Sequence, residues 1–219
     1  MGKPSLAHVG EPASPGRARW LTLEWIVLYG IVPFVAYVKA VPVHKFLLFL
    51  APLLYTLLLY GAGTRQPAAA RRPFAWHWLL LRLMLSTGGL LLAVLVLNPQ
   101  QLFNLPGRQP GLWALILLLY PFISALPQEF AYRTFYFWRY AALFPQPRIM
   151  VASNALAFSF LHLMYDNWVA VVLSLIGGVY FALTYQQSGR LIFPWLEHSL
   201  YGQIIFTIGL GQYFYEPLH

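Results

Sequence analysis

Cysteine is absent, which excludes disulfides, thiolate nucleophiles and Cys-ligated zinc or iron–sulfur centres in one step. Charge is nearly as scarce. Only 9% of the 219 residues are charged and 59% are hydrophobic, whereas a soluble domain carries about 25% charged residues. So little charge cannot cover an aqueous surface, and lipid must solvate part of the chain. Acidic residues are the rarest of all, six against 14 Lys and Arg, for a net charge of +8. The basic residues are scattered between apolar runs and form no patch dense enough to neutralise a series of phosphates. Nucleic acid is therefore excluded as a partner, and anionic lipid headgroups fit better.

What the chain has instead is long apolar segments. They run from Trp20 to Val38, from Phe46 to Gly63 (FLLFLAPLLYTLLLYGAG), from Trp78 to Leu97, and from Leu112 towards Tyr140. Beyond the FPQPR break at 144–148 come IMVASNALAFSFLHLMY, then a run from Trp168, then one from Leu191. A helix needs about 20 residues to cross a bilayer, with about 17 tolerated. The pattern predicts an all-α, polytopic membrane helix bundle of seven transmembrane helices, or eight if Phe135 to Phe144 enters the membrane separately. Pro121 and Pro127 are expected to bend or divide the fourth segment, because each lacks the amide hydrogen that a helix interior uses.

Residues 1–19 are polar and rich in Gly, Pro and Ala, a poor secretory signal, and are read as a disordered or surface tail. Residues 20–219 are read as a single transmembrane domain with no flexible linker. Lys3, Arg17 and Arg19 before the first span, and Arg65, Arg71 and Arg72 after the second, place the N-terminus in the cytoplasm by the positive-inside rule. The Gly177–Gly178 pair reads as close helix packing and not as a phosphate loop.

A charge near the bilayer centre costs roughly 2.5 to 3.5 kcal/mol on insertion scales. Charged residues inside apolar segments therefore need a reason. Arg82 lies one turn into the third segment, where it snorkels to headgroups, the simpler reading, or finds a partner within the bundle. Glu129 and Arg133, in PQEFAYR at 127–133, are four apart and share a helix face. Structurally, they would fix a helix crossing; functionally, Arg133 would hold a carboxylate beside a wet cavity. Phe158 and His162, in FSFLH, also share a face, with Asn154 two turns earlier and Asp166 one turn later as a weaker neighbour. His198 lies within PWLEHSLYGQ at 194–203, and Glu197 beside it points about 100° away.

Glu129, His162 and His198 come from three segments and supply groups that can move a proton near neutrality and so activate water beside a peptide bond. The same three side chains are also a two-His, one-Glu set for a divalent metal such as zinc. No HExxH motif is present, and water activation without a resident cofactor is the preferred reading.

The series QEFAYR at 128–133, FSFLH at 158–162 and HSLYG at 198–202 resembles the motifs EExxxR, FxxxH and HxxxN of the CPBP family of intramembrane proteases, also called the CAAX-protease, bacteriocin-processing or Abi family. The likeness covers about residues 112–214. The resemblance implies a helical bundle around a cavity and hydrolysis of a peptide bond in a protein or peptide entering from the membrane or its surface. In some members the bond follows a prenylated C-terminal cysteine. It also implies a bacterial inner-membrane location and a glutamate-type mechanism. Glu129 and His162 would draw the proton from water, and His198 would steady the oxyanion. Gln128, Arg133, Phe158 and Gln203 would support them.

Two positions depart from the family pattern. Gln128 stands at the first glutamate, and Gly202 replaces the asparagine, with Gln203 as a displaced amide donor. Either Glu129 serves as base after a local rotation near Pro127, or Gln128 is a deliberate inactivating substitution, or the chain is a non-cleaving relative. The rivals to a protease are accordingly a non-catalytic membrane chaperone, immunity or assembly protein of the same fold, and a small transporter. Neither substrate nor oligomeric state is legible.

Overall fold

The structure is a computed structural model that describes residues 14–38, 45–63 and 74–215. It is all-helical, with no strand among the described residues. The main helices are α1 (Pro15–Tyr37), α2 (Lys45–Ala62), α3 (Trp76–Leu97), α4 (Pro110–Arg139), α5 (Pro147–Leu161), α6 (Trp168–Ser188) and α7 (Ile192–Ile208). Helix α1 begins at Pro15, five residues before the apolar run. A proline is well placed in a first turn, where its missing N–H has no partner to lose. Lys3, Arg65, Arg71 and Arg72, four of the six residues behind the orientation argument, lie outside the described residues.

Among the described residues, α1, α3, α4 and α6 are long and apolar enough to cross a membrane. A count of seven or eight spans does not follow from length and hydropathy. Helix α5 stops at Leu161 after 15 residues, α7 has 17 and α2 has 18. Helix α5 is below the tolerated minimum of about 17 residues, and α7 and α2 lie close to it. Large apolar side chains such as Leu58, Met84, Val96 and Leu118 are exposed on the outside of the bundle, as a lipid-facing surface requires.

Neither proline divides α4, which continues for 30 residues. The backbone instead widens into π-helical turns at Pro121–Ala125 and Phe130–Phe135, and such turns are a known way to absorb an irregularity without ending a helix. Phe135 to Arg139 thus finish the same helix and do not begin another. Pro121 has no N–H for the carbonyl of Leu117 one turn back, and Gln203 on α7 donates to that oxygen at 2.9 Å. Trp195 Nε1, also on α7, donates to the Pro121 carbonyl at 2.6 Å. Side chains of α7 therefore supply donors where α4 departs from the regular ladder.

Three buried carboxylates hold the helices together, each facing an arginine. Glu24 on α1 accepts two bonds from Arg139 (2.8 and 2.6 Å), one from Tyr140 (2.9 Å) and one from Tyr55 on α2 (3.0 Å). Glu129 pairs with Arg133 within α4. Glu197 on α7 pairs with Arg82 on α3 at 3.1 Å, and Thr184 on α6 links the two, accepting from Arg82 and donating to Glu197. Arg82 does not snorkel, because a buried carboxylate on another helix is a stronger partner than a distant headgroup. Helices α5 and α6 pack closely at Gly178, where an added Cβ would lie 3.2 Å from the Ala155 Cα. Gly177 instead lines a cavity.

Candidate active site

The cavity has a volume of about 490 Å³ and lies between α3, α4, α5, α6 and α7. That volume suits a small ligand or a short peptide segment. Its polar lining comes mainly from Gln128, His162, His198, Tyr120 and Tyr165, and its apolar lining includes Leu90, Leu173, Ile205 and Phe206. The three motif segments therefore do converge, each contributing at least one side chain to a single hollow.

Glu129 is the exception. It is fully buried, does not line the cavity, and has both oxygens engaged: Oε2 accepts from Arg133 Nε at 3.0 Å, and Oε1 faces His198 Nδ1 at 2.9 Å. Pro127 lies in a short α-helical stretch between the π-helical turns, and Gln128, not Glu129, is the residue that reaches the cavity. Gln128 Nε2 donates to Ser124 Oγ at 3.0 Å, and its amide oxygen is buried without a protein partner.

Behind the carboxylate stands a buried support. Arg133 donates to the side-chain oxygen of Asn154 on α5, and Asn154 Nδ2 donates to the Tyr132 carbonyl at 2.5 Å. The guanidinium carbon lies 4.9 Å from the Phe158 ring centre and 5.7 Å from that of Phe181, so two aromatic faces flank the cation. Asn154, read from sequence as a neighbour of His162, instead steadies Arg133.

The two imidazoles share an aromatic wall. The Phe158 ring is 4.8 Å from His162 and 5.6 Å from His198, and Phe181 stacks on His198 at 4.7 Å with 16° between planes. His162 Nδ1 lies 2.8 Å from the Phe158 carbonyl oxygen. A carbonyl only accepts, so Nδ1 carries the hydrogen and Nε2 keeps its lone pair in the neutral ring. Because Glu129 faces His198 Nδ1, the same logic gives an Nδ1–H donor to the carboxylate and a free lone pair at Nε2. Tyr120 Oη lies 2.8 Å from that Nε2. Asp166 adopts a left-handed conformation (φ 56°) just past the turn at His162–Tyr165, where it ends that turn.

Tyr120 and Phe181 escaped the sequence reading. Both are aromatic residues in apolar helices, and with 14 Tyr and 16 Phe in the chain nothing local marks these two. Gln203, expected as a displaced amide donor, is bonded to Leu117 and is not among the residues lining the cavity.

Among the described residues, no group of three His, Asp or Glu is arranged to hold a metal ion. Glu129 is occupied by Arg133 and His198, and the His198 ring is engaged at both nitrogens. As arranged, Glu129, His162 and His198 do not fit the three-ligand alternative.

Residues 110–203, 94 of the 219 residues, match the family described as Type II CAAX prenyl endopeptidase Rce1-like. No curated protein and no solved structure matches the chain. The matched segment contains all three motif segments and begins at the first residue of α4. Residues 110–203 of this integral membrane protein thus match, by family model and by motif series alike, the CPBP family of CAAX-type intramembrane proteases.

Proposed function

We propose that the chain is an intramembrane endopeptidase in which His198, held by Glu129, takes the proton from the attacking water. One observation carries this reading: Glu129 Oε1 faces His198 Nδ1 at 2.9 Å while His198 lines the cavity. A buried carboxylate behind an imidazole fixes the tautomer and stabilises the imidazolium that forms when the ring accepts a proton. The role first expected for Glu129, drawing that proton directly, needs a free oxygen on the cavity, and both of its oxygens are taken. Arg133 orients the carboxylate, and Phe158 and Phe181 restrict the imidazole.

In the proposed step, water gives one proton to His198 Nε2 while its oxygen bonds to the peptide carbonyl carbon and the carbonyl π pair moves onto oxygen. Collapse of that intermediate breaks the C–N bond, and the leaving nitrogen takes the proton back from Nε2. The Nε2 lone pair of His162 accepts the second hydrogen of the attacking water and aims it. The substrate class is a lipidated C-terminal peptide, with the bond after a prenylated cysteine. The apolar lining of the cavity supports that choice. The protein lies in a bacterial inner membrane with its N-terminus in the cytoplasm.

Gln128 favours a second reading, a relative that binds such a peptide without cleaving it, because an amide on the cavity can hold a carbonyl or a water and cannot accept a proton. The two readings separate in one assay. Purified wild-type protein in liposomes should release the C-terminal fragment of a farnesylated peptide, and His162→Ala should lower turnover by about 100-fold, the lower end for loss of a positioned acid–base group. Binding of the peptide with no fragment released would support the binding protein and remove the protease.

A further inference from the structure

We infer that the Tyr120 hydroxyl is the donor that steadies the tetrahedral oxyanion, and that Gly202 exists in this chain to let it reach there; the inference rests on the hydrolase reading above. Two independent observations meet at this point. Tyr120 Oη lies 2.8 Å from His198 Nε2, on the cavity wall. A Cβ on Gly202 would stand 2.1 Å from Tyr120 Cε1, 2.4 Å from Cζ and 2.7 Å from Oη. Any side chain at 202 must therefore displace the Tyr120 ring.

The helix geometry explains why position 202 matters. It is one turn past His198 on the same face of α7, so a side chain there would point at the space that His198 faces. The α4 residue Tyr120 fills that space from the opposite wall. Its ring also packs edge-on against Phe206, 5.7 Å between centres, one further turn along α7.

The chemistry follows from the tautomer. With Nδ1–H directed to Glu129, Nε2 has a lone pair, and in the resting site Tyr120 O–H donates to it. When water takes that lone pair, the phenolic hydrogen is released and can turn about its C–O bond. A carbonyl attacked by a water on Nε2 must lie within about 3 to 3.5 Å of that water. This puts its oxygen within reach of a hydroxyl that starts one hydrogen bond from Nε2. As water loses its proton to Nε2 and bonds to the carbonyl carbon, the π pair becomes the oxyanion. Tyr120 donates a hydrogen bond to it and transfers no proton. Collapse then breaks the C–N bond as described above, and the hydroxyl returns to Nε2.

The test uses the full-length protein in liposomes with the farnesylated peptide, reading kcat and KM separately and confirming folding by the thermal unfolding midpoint. Tyr120→Phe removes one oxygen and should lower kcat by about 100-fold, with KM changed by less than about twofold, as for loss of a single oxyanion donor. Gly202→Asn should be impaired alone, because its side chain collides with the Tyr120 ring. Tyr120→Ala combined with Gly202→Asn, which supplies an amide donor from the other wall, should recover at least about tenfold over Tyr120→Ala. A structural role for Tyr120 would not produce that recovery. Wild-type kcat in Tyr120→Phe, or a Tyr120→Ala/Gly202→Asn variant no better than Tyr120→Ala, would overturn the inference while the hydrolase reading stands. A wild-type protein that cleaves nothing would remove both.

Discussion

Glu129→Gln is expected to lower kcat for peptide cleavage by about 10⁴-fold, the magnitude seen when the carboxylate behind a catalytic imidazole becomes an amide. The reason is local. Arg133 offers only donors, so the amide of Gln at 129 must turn its oxygen towards Arg133 and its NH2 towards His198 Nδ1. Nδ1 then has to accept, and the ring hydrogen moves to Nε2. The nitrogen facing the cavity loses the lone pair that takes the water's proton. The neutral amide also withdraws the negative charge that stabilises an imidazolium. KM should change little, because Glu129 does not line the cavity. The measurement is steady-state cleavage of the farnesylated peptide by folded variant protein, and a variant within about tenfold of wild type would contradict the role given to Glu129.

Arg133→Met carries the largest expected effect on stability. Glu129 and Arg133 are both completely buried, 3.0 Å apart, and removal of the cation leaves a buried carboxylate with only the imidazole beside it. Breaking a buried pair from one side typically costs about 3 to 5 kcal/mol. The same change deprives the Asn154 side-chain oxygen of its donor and leaves the Phe158 and Phe181 faces without the cation between them. Double substitution of Glu129→Gln with Arg133→Met should be less destabilising than the sum of the single changes, because no uncompensated charge remains. Denaturant unfolding of the detergent-solubilised protein tests both statements. Equal midpoints for wild type and Arg133→Met would show that the buried pair and the Arg133–Asn154 bond add nothing to stability.

Much of this site is written in local spacing. The scarcity of charge and the apolar runs specify a helical membrane protein, and the four-residue interval of Glu129 and Arg133 gives the ion pair that forms. Phe158 and His162 meet as their interval requires. His198 and Glu197 diverge as their adjacency requires: one lines the cavity and the other joins Arg82 and Thr184. What local spacing cannot carry is contact between helices. Arg82 is 115 residues from Glu197 in sequence, and Tyr120 is 78 from His198; no periodicity links either pair. The side of α4 that Gln128 and Glu129 present was equally hidden. The sequence announces prolines, whereas the π-helical turns on either side of Leu126–Glu129 exist only in the fold. Gly202 was visible as a departure from a motif, and its reason, the room it leaves for a ring on another helix, exists only in three dimensions.

The most direct measurement is cleavage of a farnesylated peptide in H2¹⁸O by wild-type protein and by His198→Gln, with products weighed by mass spectrometry. The account predicts that wild type releases the C-terminal fragment and places one ¹⁸O on the new carboxyl group of the prenylated product, while His198→Gln falls to the uncatalysed background. Labelled product formed at the same rate by His198→Gln, or none formed by wild type, would contradict it.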